Sequence, residues 1–170
     1  MNLSLFKKMV NEIDDEKINQ LSDLLKSFEK IIIIGNGGSN AIASHIAVDY
    51  TKFLKKKCLS FTDASMLTCF FNDEGVSNAY KEYLSNFANR QTLVILVSSS
   101  GNSDNIVNAA EYCSNNDIHF VTLTGFSSDN KVRTKFKQDK LNVLDVWVDS
   151  MSYAIVECMH MVYLHAVVDA

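Results

Sequence analysis

Two apolar runs, each leading directly into a loop of small residues, restrict this chain more than anything else in it. Ile31-Ile32-Ile33-Ile34 runs into Gly35-Asn36-Gly37-Gly38-Ser39, and Leu93-Val94-Ile95-Leu96-Val97 runs into Ser98-Ser99-Ser100-Gly101-Asn102-Ser103. An unbroken apolar run of strand length reads as a strand covered on both faces, the situation of a parallel sheet between helix layers. In such a sheet both loops open at one edge, beyond the carboxyl ends of the strands, where open α/β proteins bind ligands. Loops of this kind present backbone N–H groups, hydroxyls and helix N-termini, a combination suited to an anion such as a phosphate. Two of them point to a phosphorylated small molecule.

The rest of the chain supplies the helices that such a sheet needs. Residues 3 to about 28 read as one long amphipathic helix, with Leu5, Met9, Ile13, Ile18, Leu21, Leu25 and Phe28 at helical spacing. Its wide apolar stripe must pack on the sheet or on another subunit. Further helices are expected over Ser39 to Phe53, over Ala64 to Phe71 with a break at Asn72-Asp73-Glu74-Gly75, over Ser77 to Phe87 and over Ser103 to Asn115. A last helix, apolar nearly all round and therefore buried, is expected over Ser150 to Val168. Cys58 to Phe61, Thr92 to Val97, Phe120 to Thr124 and Val143 to Val148 read as strands, and Ser127 to Gln138 as a polar loop with a short helix. The alternation implies a three-layer αβα domain on a parallel sheet of about five strands. A length of 170 residues suits one domain, 1–170.

Charge and composition narrow the partners. The formal net charge is -4, and the only basic run is Lys55-Lys56-Lys57, so no nucleic-acid partner is expected. No apolar stretch approaches the ~20 residues of a membrane-spanning helix, so no membrane partner is expected either. Met1 to Glu16 mixes lysines with acidic residues and has no apolar signal core, which points to a cytoplasmic location. Cys58, Cys69, Cys113 and Cys158 lie far apart without a C-x-x-C pair and read as free, mostly buried thiols in a reducing compartment.

Four residues carry the candidate chemistry. His45 and Asp49 stand four apart on the helix leaving the glycine loop, and so share a face. Glu157 and His165 lie two turns apart on the last helix, with His160 a rival for the Glu157 position. Two histidines and two carboxylates match zinc or a similar divalent ion, and equally a general acid–base pair. The plain alternative is a set of satisfied core histidines with Asp49 on a solvated surface. Gly35-x-Gly37 also resembles the start of a dinucleotide fingerprint. Position 40 is Asn40 where the third glycine belongs, however, and Asp63 falls late for the ribose carboxylate. Ser103 is a good helix N-cap, but one cap does not call for Ser98, Ser99 and Ser100 as well, which favours a ligand role for the loop.

Taken in order, Gly35-Asn36-Gly37-Gly38-Ser39, His45 six residues on, Asn72-Asp73, Ser98-Ser99-Ser100-Gly101-Asn102-Ser103 and Leu123-Thr124-Gly125 resemble the sugar isomerase (SIS) domain family. Within it the chain is most similar to the phosphoheptose isomerases, over essentially its whole length. The resemblance implies a flavodoxin-like parallel sheet and a homotetramer with active sites at subunit interfaces, the N-terminal helix packing in the oligomer. It implies a zinc-assisted aldose–ketose isomerase that takes sedoheptulose 7-phosphate to D-glycero-D-manno-heptose 7-phosphate through an enediol. The product feeds heptose synthesis for lipopolysaccharide or capsule.

It also implies roles. Asn36, Gly37, Gly38 and Ser39 contact substrate, Asn72 and Asp73 line the sugar site, and Ser98, Ser99, Ser100 and Ser103 hold the phosphate. His45, Asp49, Glu157 and His165 fall on metal positions, Asp49 and His165 also on the acid–base positions, and Glu157 also faces substrate. The chain departs from the pattern in carrying Asp49 for a Glu, Glu157 for a Gln, and Ile155 and Phe53 for arginines. Some relatives are non-catalytic and bind a sugar phosphate or a protein partner such as a replication initiator. In the initiator-binding relative the carboxylate and final histidine are replaced, whereas Asp49 and His165 retain proton-transfer chemistry here.

Overall fold

A computed structural model describes residues 1–168. Its sheet has five parallel strands, β1 (Lys30–Gly35), β2 (Lys57–Ser60), β3 (Thr92–Ser98), β4 (His119–Thr124) and β5 (Asn142–Trp147), in the order β2-β1-β3-β4-β5. The helices are α1 (Leu3–Asn11), α2 (Asp15–Ser27), α3 (Gly38–Lys52), α4 (Ala64–Glu74), α5 (Ala79–Phe87), α6 (Asp104–Asn115), α7 (Lys131–Phe136) and α8 (Tyr153–Ala166). The three-layer αβα, flavodoxin-like arrangement matches the expectation from the sequence.

The isoleucine run is apolar throughout because successive side chains serve two cores. Ile31 and Ile33 join Leu93, Ile95 and Val97 against α2, α3 and α8. Ile32 and Ile34 join Val94 and Leu96 against α5 and α6, with Val132 and Phe136 of α7. All four isoleucines are fully buried, and each contributes about 2 kcal/mol relative to an exposed position. A polar residue anywhere in the run would face one core or the other. Register then levels the two loops, because Gly35 pairs with Val97 at the ends of β1 and β3.

The structure corrects the expected boundaries in three places. The N-terminal helix is two helices, because the Asp14 carboxylate accepts from Glu16 N and Lys17 N and caps α2 while its own N–H donates to Tyr163 Oη. Such local side-chain bonds compete with a continuous helix, although the apolar stripe runs on across the break. α4 continues through Asn72, Asp73 and Glu74 and stops only at Gly75, whose φ of 74° ends it. α8 starts at Tyr153 and buries one face through Ile155, Val156, Met159, His160, Tyr163 and Leu164, while Glu157, Cys158 and His165 are half-buried beside it. Of the cysteines, Cys58 and Cys113 are buried, Cys158 is half-buried and Cys69 is exposed. Burial pushes the Cys58 thiol up to about 12. Among the described residues no helix is long and apolar enough to cross a membrane.

His160 belongs to the core. Its Nε2–H donates to the Thr124 carbonyl at 3.0 Å, and burial pushes its pKa down to about 4 against the smaller opposing effect of that bond. An unfolded histidine takes up a proton near ~6.5, before the native one does, so folding loses stability as pH falls from that value towards 4. The loss reaches roughly 3 kcal/mol at full shift. Urea unfolding should therefore show a lower midpoint at pH 5 than at pH 7, and His160→Gln, which keeps a donor but does not titrate, should remove this part of the pH slope.

Candidate active site

α3 and α8 lie side by side on one face of the sheet and bring three of the expected residues together. His45 and Asp49 face the same way from α3, with His45 Nε2 3.4 Å from Asp49 Oδ2. His165 Nε2 of α8 lies 3.1 Å from the same oxygen. The two imidazoles meet edge to face, with centroids 5.0 Å apart. Asp49 is only 16% exposed, whereas His165 is 39% and His45 55% exposed, so the carboxylate forms the floor and the imidazoles the rim.

Tyr50, one residue from Asp49, sets the register of the two helices. Its buried hydroxyl donates to the Leu164 carbonyl at 2.9 Å, and burial raises its pKa well above the usual phenol value. Leu164 lies in the last turn of α8, where carbonyls have no partner along the helix. Sequence reasoning missed Tyr50, because its partner lies 114 residues away in the chain.

The glycine loop is shaped by close approach. Gly37 sits at φ 53°, ψ -120°, a conformation that only glycine adopts readily. A Cβ on Gly35 would meet the Ser39 backbone at 2.7 Å, and one on Gly38 would meet the Glu157 carboxylate at 2.5 Å. Glu157 therefore faces the start of α3, apart from the group formed by His45, Asp49 and His165. Asn36 is exposed and Ser39 buried.

The serine loop is braced from behind by α7. Lys131 N donates to Asn102 Oδ1 at 2.9 Å, Val132 N to Gly101 O at 3.0 Å, and Lys131 Nζ pairs with Asp104 at 2.9 Å. Gly101 has φ 62°, and the buried Asn130 amide lies against the place of its missing side chain. Gly101 N–H donates to Ser98 Oγ at 3.2 Å, and Asn102 N–H to Ser100 Oγ at 3.2 Å. Among the described residues, the buried Ser99 hydroxyl has no partner, and Ser103 caps α6 without a side-chain bond. The N-terminus of α6 thus opens beyond the carboxyl end of β3 without a side-chain cap, the setting in which a helix start attracts an anion. Asn72 and Asp73 lie exposed on the last turn of α4, where the Asn72 amide donates to Asp73 at 2.8 Å.

A family model described as the SIS domain matches residues 3–125. The chain belongs to the SIS domain family. This SIS domain is 30% identical to the phosphoheptose isomerase of Aliarcobacter butzleri over 159 residues, 89% of this chain and 80% of that protein. It is 33% identical to the phosphoheptose isomerase of Cytophaga hutchinsonii over 110 residues, a match spanning 62% of this chain and 58% of that protein. The solved phosphoheptose isomerase of Neisseria gonorrhoeae superposes with a TM-score of 0.85 at 28% identity, covering 96% of this chain and 90% of the other.

Gly101 is where the backbone leaves least freedom. Gly101→Ala adds the strain of a left-handed alanine, about 1–2 kcal/mol, to displacement of Asn130. A drop in Tm on the order of 5 °C or more is expected in thermal unfolding, with weaker binding of inorganic phosphate measured by calorimetry.

Proposed function

We propose that this SIS domain interconverts the ketose and aldose forms of a phosphorylated sugar through an enediol, with sedoheptulose 7-phosphate and D-glycero-D-manno-heptose 7-phosphate as the pair. The observation that carries the reading is the 3.1 Å contact between Asp49 and His165 across two helices. The similarity to phosphoheptose isomerases supports the choice of sugar. An aldose–ketose exchange moves one proton between neighbouring carbons and another between their oxygens, so it needs two proton-transfer groups side by side. Asp49 and His165 fill these roles: one takes the carbon proton and the other meets the carbonyl oxygen. Ser98, Ser99, Ser100 and Ser103 hold the phosphate, and that remote binding aligns the reacting carbons. Asn36, Gly37, Gly38, Ser39, Asn72, Asp73 and Glu157 surround the sugar.

The same group suits a metal. His45, Asp49 and His165 offer ligand atoms all within 4.8 Å of one another. Two imidazoles and a carboxylate are a donor set of zinc or a similar divalent ion. Such an ion, when bound, polarises the carbonyl and hydroxyl oxygens of the sugar.

Helix geometry bears on where the substrate lies. Gly38 and Asp49 are eleven residues apart on α3, about 16 Å of helix, and Glu157 and His165 are eight apart on α8, about 12 Å. Glu157 lies against Gly38 at the start of α3, so the ion is assigned to His45, Asp49 and His165 and Glu157 to the sugar. Because Glu157 stands at the start of α3 and Asp49 near its end, the serine loop and Glu157 that complete each site are assigned to a second copy, within a homotetramer. Val48 beside Asp49 and Phe53 one turn on are 59% and 55% exposed, and α1 buries none of its residues, so apolar surface stands ready at the site and at the N-terminus.

With sedoheptulose 7-phosphate as substrate, Asp49→Asn and His165→Ala should each lower kcat by at least ~100-fold. Near-normal rates in both would remove the assignment. A chelator should lower turnover and added zinc restore it. Mixed and reassociated Asp49→Asn and Ser99→Ala/Ser103→Ala chains should regain activity that neither has alone, and no recovery would place the whole site within one chain.

A further inference from the structure

We infer that Tyr80 and Asn105 are positioning residues that lock the glycine loop to the helix carrying the serine loop, and so set the spacing between the sugar end and the phosphate end of the binding groove. The inference rests on the reading of that groove as a sugar-phosphate site. Neither residue belongs to the loops themselves. Tyr80 comes from α5 and Asn105 from the first turn of α6, 45 and 69 residues from their partners.

The contacts form one closed network. The side-chain amides of Asn36 and Asn105 face each other and exchange both bonds, Asn36 Nδ2 to Asn105 Oδ1 at 3.0 Å and Asn105 Nδ2 to Asn36 Oδ1 at 2.9 Å. Beneath them the Tyr80 hydroxyl lies 2.6 Å from the Gly35 carbonyl and 2.9 Å from Asn36 Oδ1. Tyr80 is 2% exposed and Asn105 5% exposed, and burial pushes the Tyr80 hydroxyl up to about 12, so it keeps its proton at any working pH. That hydroxyl has a single proton, which the shorter contact assigns to Gly35 O. Turning both amides over preserves their exchange of bonds and lets Asn36 Nδ2 donate to the Tyr80 oxygen, which satisfies the remaining contact. The lock thus ties backbone and side chain of the glycine loop to α5 and α6 together.

Its location argues for more than stability. Asn36 and Asn105 line, with Val76, Ser77, Ser103 and Asp104, an open groove of about 530 Å³ that joins the glycine loop to the start of α6. Asn36 and Gly37 are otherwise tied to the first turn of their own helix, through Asn40 N and Ala41 N, so among these contacts it is the lock that joins the loop to α5 and α6. A shift of an ångström at a reacting group costs on the order of 100-fold in rate, so a loop free to move by that much would bind the phosphate and misplace the sugar.

The test separates the two ends of the substrate. Asn105→Ala, Tyr80→Phe, Asn36→Ala and the Asn36→Ala/Asn105→Ala double variant would be compared with the unaltered protein. Calorimetry with inorganic phosphate and with sedoheptulose 7-phosphate gives the affinities, and turnover gives kcat and KM per folded chain. Inorganic phosphate affinity should stay within about 2-fold in Asn105→Ala, while kcat on the sugar phosphate, or its affinity, falls by about 10-fold or more. The double variant should lose no more than the worse single one, as expected of groups that act as a unit. A lowered Tm with unchanged kcat and KM would overturn the inference, and so would a parallel loss of both affinities. If the unaltered protein turns over no ketose phosphate, the isomerase reading fails by itself, and the ratio of the two affinities still decides the lock.

Discussion

The hydrogen bond from Tyr50 to the Leu164 carbonyl fixes the contact on which the candidate chemistry depends. Tyr50 and Leu164 are the immediate neighbours of Asp49 and His165, and they are buried where those two are partly open. A helix turns about 100° per residue, so a slip of one residue along α8 would carry His165 away from Asp49 altogether. The Tyr50 hydroxyl prevents the slip by supplying a partner to a last-turn carbonyl. Beneath both helices the shared core of Ile31, Ile33, Val121 and Leu123 holds them on one face of the sheet. The apolar pattern of the strands, the register of two helices and the meeting of an imidazole with a carboxylate are one continuous chain of cause.

The departures from the family pattern read differently in three dimensions. Asp49 is a methylene shorter than the glutamate the resemblance implies at its position, and its oxygen reaches both imidazoles because α3 and α8 lie close together. Ile155, where the resemblance implies an arginine, is buried in the core, where an unpaired charge would be costly. Phe53 leaves an exposed aromatic ring near Asp49, with Lys52 over it at 5.1 Å. Phe53 thus sets apolar surface beside the group formed by His45, Asp49 and His165.

What the sequence made legible were features with a local physical signature. The strands announced themselves because a doubly covered strand admits no polar position, and the loops because glycine and serine recur where the backbone must bend tightly. The His45–Asp49 pair followed from helical spacing. The break at Asp14 was hidden because a capping carboxylate in an amphipathic pattern looks like any surface carboxylate. The run through Asn72 to Glu74 was hidden because an exposed last turn tolerates polar residues. Tyr50, Tyr80 and Asn105 were invisible for a different reason: their partners lie 114, 45 and 69 residues away, and nothing local marks a tyrosine or an asparagine for such a bond. Assigning His160 to the core required knowing which face of α8 meets the sheet.

The two small-residue loops look alike in sequence and differ in charge. At the glycine loop, the start of α3 is faced by the Glu157 carboxylate, which lies where any side chain on Gly38 would go. At the serine loop, the start of α6 has no side-chain cap, the Ser99 hydroxyl is buried without a partner among the described residues, and the nearby Asp104 carboxylate is paired with Lys131. An anion approaching this edge of the sheet is repelled at the first loop and finds donors at the second, because a helix N-terminus attracts one negative group and α3 already has its own. The Glu157 carboxylate on α8 thereby biases an anion towards the serine loop, without touching that loop.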